Sequence, residues 1–218
     1  MEIEIKYTLQ GLLIYVTMAA YLLAFIAAFT RYKKLSGIIY FAGFISGVAT
    51  FVYRGMHVGH VPMQNLFEVF VTLGMLIYPI TLFSRKVLRV SGGPGDSADM
   101  LIGFIALFPA GFVFSADPKM LPPALQCWLF APHVAVYMFS YMIMAKAAFL
   151  AAARLFRQFP GGQENLLSYE DATYLMVKMG FPFLTLGLIL GSWWGKLAWG
   201  DYWGWDPKEL WSLVSWLV

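Results

Sequence analysis

The residues best suited to chemistry lie together near the end of the chain. Between Trp193 and Trp216, WWGKLAWGDYWGWDPKELWSLVSW holds seven of the eight tryptophans in 24 positions, interleaved with Gly195, Gly200 and Gly204. An indole is costly to leave in water and offers a flat face with one N–H donor. Tryptophans also gather at membrane–water interfaces as anchoring belts, which accounts for two or three of them. Seven in one stretch, with almost none at the other loop ends, point to a platform for a large planar ligand. Haem suits such a surface. Its macrocycle stacks on indole, its iron accepts imidazole, and Lys196 and Lys208 are close in sequence for its propionates. A quinone headgroup or a lipid-linked sugar also favours aromatics.

Three histidines are available as ligands. His133 follows Pro132 one or two turns into an apolar segment. An ionisable side chain in a membrane helix is a functional candidate by default, the alternative being a histidine bonded to a neighbouring helix. His57 and His60 lie in GMHVGHVP, read as a glycine-rich loop, and are weaker candidates. Zinc takes three or four ligands, and no Cys/His set completes this HxxH pair. Solvated or capping roles are favoured for both. Cys127 is the single cysteine and lacks the CxxCH pattern that attaches c-type haem, so any haem here is held non-covalently. It is expected to be a small buried residue, and the twelve scattered methionines to be core packing.

The elements that must position these groups follow from composition. The chain is 60% hydrophobic with 12% charged residues, against about 25% charged in a soluble domain. Its mean hydropathy is +0.68. Apolar runs of membrane-spanning length are read at roughly 9–30, 35–53, 66–83, 100–115, 126–153 and 172–193, with a seventh from Pro207; the fourth is the shortest. The expected fold is all-α: a single integral-membrane domain over 1–218, a polytopic bundle of six full helices and a truncated seventh. From Pro207 only 12 residues remain. They make about 18 Å of helix against about 30 Å of hydrocarbon, so the chain is expected to be a fragment, a natural truncation or one product of a split gene. No cleavable leader is read at the N-terminus. Pro79, Pro109, Pro132 and Pro182 should kink their helices.

Charge placement orients the bundle. Arg31, Lys33 and Lys34, then Arg85, Lys86 and Arg89, then Lys146, Arg154 and Arg157 follow alternate segments. The positive-inside rule puts them in the cytoplasm, which leaves the N-terminus, the loops 54–65, 116–125 and 194–206 and all three histidines outside. The net charge of +3 is accounted for by this topology, and nucleic acid is not expected as a partner. Residues 90–99 (VSGGPGDSAD) and 156–168 read as solvated connectors.

Two helix starts are written locally. Asp206 suits an N-cap, Pro207 the first helical position and Glu209 the third. Asn65 and Glu68 repeat the cap pattern, with one further option for Glu68: facing the interior and pairing with a cation.

These residues carry a family resemblance. WGDYWGWDPKELWS, from Trp199 to Ser212, closely resembles the WWD signature of haem-handling proteins. Its form is that of the CcsA/ResC branch of cytochrome c assembly proteins. GHVPMQNLFE, from Gly59 to Glu68, is similar to that branch's second signature. His133, in LFAPHVAVYMFSYM, sits where the branch has its first external haem-ligating histidine. The resemblance implies one half of a System II cytochrome c synthase, paired with a ResB/CcsB-type subunit in a bacterial cytoplasmic or thylakoid-like membrane. Haem b would be held non-covalently on the external WWD loop, about 193–211, for attachment to the CxxCH cysteines of an apocytochrome c. His133 would be an axial ligand of the iron. Trp193, Trp194, Trp199, Tyr202, Trp203, Trp205 and Trp211 would meet the macrocycle, with Asp206 and Glu209 shaping the loop as caps. The family's further histidines follow the WWD helix, beyond this chain, and His57 or His60 would be weak substitutes. The CcmC haem-delivery branch ranks second, since it differs in the DPKE stretch and lacks the GHxPxxNxxE segment. A quinone- or lipid-substrate protein is the rival from another class. A phosphate-transferring enzyme would want clustered catalytic groups, and the outer carboxylates are few: Asp117, Asp201, Asp206 and Glu209.

Overall fold

The computed structural model describes residues 5–88, 94–156 and 169–217. Seven helices run through them: α1 (Leu9–Ala28), α2 (Lys33–Val58), α3 (Leu66–Leu88), α4 (Pro94–Phe112), α5 (Phe130–Phe156), α6 (Tyr169–Trp199) and α7 (Pro207–Leu217). A single 3-10 turn spans Pro123–Leu125. No strand occurs among the described residues. This is the expected all-α bundle, with six helices of 19 to 31 residues and a short seventh of 11. Five of them, α1, α2, α3, α5 and α6, are long and apolar enough to cross a membrane.

Several boundaries move outward from the sequence reading. α2 continues to Val58, so His57 lies in its last helical turn rather than in a loop. It stops at Gly59, whose φ of 74° is left-handed and open mainly to glycine. α4 begins at Pro94, so part of the stretch read as a solvated connector is helix, and Asp96, Ser97 and Asp99 are buried. Residues 90–93 of that stretch and 157–168 of the next lie outside the described residues, as does Arg89. α6 runs on to Trp199, and Gly200 ends it with a φ of 96° and an N–H bonded to the Lys196 carbonyl at 3.1 Å. The tryptophan stretch is therefore two helix ends joined by residues 200–206, not a loop from 193 to 211.

Helix α1 packs on α2 and α4, α5 packs on α6, and α3, packed on α4 and α2, joins them to α5. Buried polar groups bond across the seams, as an apolar interior demands. Tyr21 donates its hydroxyl to the Gly74 carbonyl (3.0 Å), and Ser140 donates to the Gly180 carbonyl (2.9 Å).

The two ends of the bundle differ. At one end sit ion pairs: Lys146 with Asp99 (2.5 Å), Arg85 with Asp96 (3.0 Å) and Arg154 with Glu170. Lys146 is thus a buried structural cation and not a free loop charge. The other end gathers the α2–α3 turn, residues 113–129 and the α6–α7 loop. Among the described residues its one buried pair is Arg54 with Glu68 (3.0 Å; side chains 2% and 0% exposed). Arg54, the first residue of the stretch 54–65 read as an outer loop, lies inside α2 and also donates to the Ala116 and Asp117 carbonyls, at 2.5 and 3.2 Å.

Candidate functional site

Pro132 and His133 lie in the first turn of α5. The half-buried imidazole bonds through Nδ1 to the Gly187 carbonyl of α6, at 2.9 Å. A carbonyl only accepts, so Nδ1 carries the proton and Nε2 keeps its lone pair. Close approach to α6 requires glycine at 191. A Cβ there would sit 2.6 Å from His133 Cε1, closer than real contacts allow. The ring stacks on Trp194 (centroids 5.7 Å, planes 28° apart) and meets Tyr137 edge-on (5.0 Å, 83°). Trp194 is fixed in turn: its indole N–H donates to the Ala124 carbonyl at 2.9 Å, and Trp199 packs edge-on against it at 4.8 Å.

These groups wall a cleft of about 220 Å³ with Tyr141, Trp203, Asp206, Lys208, Glu209 and Ser212. A second cleft of about 500 Å³ adjoins it, lined by Trp193, Tyr202 and Ile189, and shares Leu188, Ser192 and Trp203 with the first. The two together open an aromatic surface with one cation, Lys208, in its wall.

The loop between the helices is held by backbone bonds. Ser192 donates to the Tyr202 carbonyl at 2.9 Å, and Lys196 donates to the Gly200 carbonyl at 2.5 Å while lying 5.5 Å from the Tyr202 ring centre. Asp206 Oδ1 accepts from the Glu209 amide at 2.8 Å. Glu209 Oε2 accepts from the Gly204 amide (2.7 Å) and the Asp206 amide (3.3 Å). These form a reciprocal capping box. Its clamp falls on both neighbours of Trp205, whose φ of 57° is the one left-handed non-glycine conformation among the described residues. A bulky residue adopts that region only where its surroundings enforce it.

The structure thus brings His133, Trp194, Trp199, Trp203, Asp206 and Glu209 to one cleft and Trp193 and Tyr202 to its neighbour. Trp205 is 65% exposed and meets Trp203 edge-on at 5.8 Å. Trp211 is exposed and lines neither cleft. His57 is exposed and stacks on Tyr53 at 5.8 Å. His60 lines a separate cleft with Cys127, which is half-exposed rather than buried. Sequence reasoning missed Tyr137, Tyr141 and Gly191. The signal was present, since His133, Tyr137 and Tyr141 recur every four residues on one helix face, opposite Gly187 and Gly191.

An imidazole with its Nδ1–H bonded and Nε2 available, set between aromatic faces in a cleft that Asp206, Lys208 and Glu209 also line, suits a planar metal-bearing ligand. The family model described as cytochrome C assembly protein matches residues 7–218. The chain is similar to proteins named cytochrome c biogenesis protein CcsA from several organisms. The one from Chlamydomonas reinhardtii is 32% identical over 172 residues, 73% of this chain and 48% of that protein. The one from Cyanidium caldarium is 31% identical over 203 residues, covering 76% and 68% respectively. For Guillardia theta the identity is 32% over 198 residues, covering 76% and 64%. The chain thus spans about half to two thirds of the length of these relatives.

Proposed function

The chain belongs to the cytochrome C assembly protein family, and from that premise we propose that it handles haem for cytochrome c biogenesis. Its five long apolar helices and its family make it an integral membrane protein. On this reading haem b binds non-covalently as cargo at the tryptophan-bearing end, for joining to the CxxCH cysteines of an apocytochrome c. A ResB/CcsB-type subunit completes the complex. The ion-paired, cation-rich end faces the cytoplasm, and the N-terminus and the WWD segment face outward, as the positive-inside rule implies.

The observation that carries the reading is the pose of His133. An Nδ1–H held by a backbone carbonyl fixes the tautomer in which Nε2 ligates a metal. Trp194 and Tyr137 limit the ring's rotation, and the aromatic walls beside it match a macrocycle's faces and edge. Lys208, which lines the same cleft as Asp206 and Glu209, is the cation that would meet a propionate. Asp206 and Glu209 keep the loop's shape and need not touch the cargo. When bound, haem supplies the iron and the vinyl carbons that thioether formation consumes; the chain's residues position it and limit water. His57 and His60 gain no support as second axial ligands, because neither lines the His133 cleft.

The test is an absorption spectrum of the detergent-purified complex. A Soret band that weakens in His133→Ala and returns with added imidazole supports the reading. A band identical in the variant removes His133 as ligand. Bound quinone without haem would favour the rival class.

A further inference from the structure

No residue of the motif from Gly59 to Glu68 lines the His133 cleft, yet the motif grips residues 113–129, which join α4 to α5. Glu68 pairs with Arg54, whose guanidinium donates to the carbonyls of Ala116 and Asp117 at 2.5 and 3.2 Å. Gln64 donates through Nε2 to the Met120 carbonyl at 2.7 Å. Buried Met63 shares an apolar cluster with Phe130 and the half-buried Leu121 and Leu125. Beyond these holds the segment makes its 3-10 turn. The turn uses the carbonyls of Pro122 and Pro123 for the amides of Leu125 and Gln126, at 2.9 and 3.1 Å. The Ala124 carbonyl is left for α6, and Trp194 donates its indole N–H to it at 2.9 Å. Phe130 meets the same indole at 6.2 Å. Trp194 in turn stacks on the His133 ring.

We propose that Arg54 and Gln64 are positioning residues for the His133 site. They moor residues 116–120, the 3-10 turn that follows presents the Ala124 carbonyl, and that carbonyl orients the indole on which the imidazole rests. The motif from Gly59 to Glu68 thus acts on the tryptophan-rich motif through a strap of main chain, with no side chain of its own in the cleft. This rests on the haem-handling reading and adds what sets the ligand's pose from outside the cleft. An indole has one N–H, so the acceptor it finds fixes its plane. A site loses function when the shell supporting it is loose by about 1 Å. Arginine suits the mooring because its planar fork can serve a carboxylate and two carbonyls at once. Lysine keeps the charge without the fork. Arg54→Lys therefore retains a cation for Glu68 and loosens the hold on residues 116 and 117.

The experiment uses the full chain purified in detergent, with its indole nitrogens isotopically labelled. The Trp194 N–H resonance is identified by its loss in Trp194→Phe. Its exchange with solvent should be at least about tenfold faster in Gln64→Ala and in Arg54→Lys than in the unmodified protein. Haem, titrated by its Soret band, should bind both variants about threefold or more weakly. Ser36→Ala is the control, since it loses a buried hydrogen bond to the Ala24 carbonyl (2.7 Å) at the ion-paired end. It should change neither exchange nor affinity. In the Trp194→Phe background, where the ring lacks the donor, Gln64→Ala should weaken haem binding no further. Unchanged exchange in both variants overturns the proposal. So does faster exchange with unaltered haem affinity, and so does a Gln64→Ala effect that adds in full to that of Trp194→Phe. If Arg54→Lys fails to fold, Gln64→Ala carries the same tests. If the unmodified protein binds no haem, the haem reading fails, and the exchange arm by itself decides whether the mooring orients Trp194.

Discussion

Glu68 and Glu209 occupy the same local position and meet opposite fates. Each is the third residue of a helix whose cap, Asn65 or Asp206, accepts its amide, at 3.0 and 2.8 Å. Each turns one carboxylate oxygen back onto backbone amides before the helix: Glu68 onto Gln64 at 2.8 Å, Glu209 onto Gly204 and Asp206. The other oxygen of Glu68 meets Arg54 in the interior, and Arg54 in turn holds residues 116 and 117. Among the described residues no such cation pairs with Glu209, which instead lines the cleft with His133. One motif closes a seam; the other shapes an open site. The difference comes from the neighbours, since α2 brings a buried guanidinium to one cap and nothing equivalent reaches the other.

The sharpest way to break this comparison is to remove both carboxylates in turn. Glu68→Ala leaves a buried guanidinium unpaired and should cost about 3–5 kcal/mol, read as lost monodisperse protein or a much lower Tm in detergent. Glu209→Ala should cost about 1 kcal/mol, the scale of a lost cap, while lowering haem retention. Equal losses would mean that the two motifs do the same work. Gly191→Ala comes next. The added Cβ pushes on the His133 ring, and overpacking of this kind costs about 1–3 kcal/mol. Its haem spectrum should change more than its Tm, and a normal spectrum would mean the imidazole has room to retreat. Trp205→Gly removes a bulky side chain from a left-handed backbone and should raise stability by up to about 1 kcal/mol while weakening haem binding, measured by Tm and Soret intensity. A fall in Tm would show that the exposed indole packs on something beyond Trp203. The smallest effects belong to the caps. Asn65→Ala and Asp206→Ala should each cost about 1 kcal/mol and match one another, because this part of the two motifs is purely local.

Much of the fold was legible because its signals are local. Apolar run length marks α1, α2, α3, α5 and α6, and the caps at Asn65 and Asp206 form as read. Helix ends were less legible. Asp96 and Asp99 looked like solvated loop residues, because nothing in the local pattern announces that Arg85 and Lys146 will neutralise them. The tryptophans looked like one loop, because a helix running through Gly195 to Trp199 depends on α6 continuing against α5. At the site, His133 and the indoles stood out by residue type, but Tyr137, Tyr141 and Gly191 are ordinary on an apolar helix until their shared face is seen against a partner.

By itself the sequence determined the class of the molecule, its membrane-length helices, the two capping motifs and the concentration of indole beside a histidine. Those depend on composition and on neighbours a few residues apart. Tertiary structure decided what the polar groups do. The tautomer of His133 is set by a carbonyl 54 residues away, the position of Trp194 by one 70 residues away, and the second role of Glu68 by an arginine on another helix. In an apolar interior each such group must find a partner wherever the packing supplies one, and packing is a property of the whole bundle.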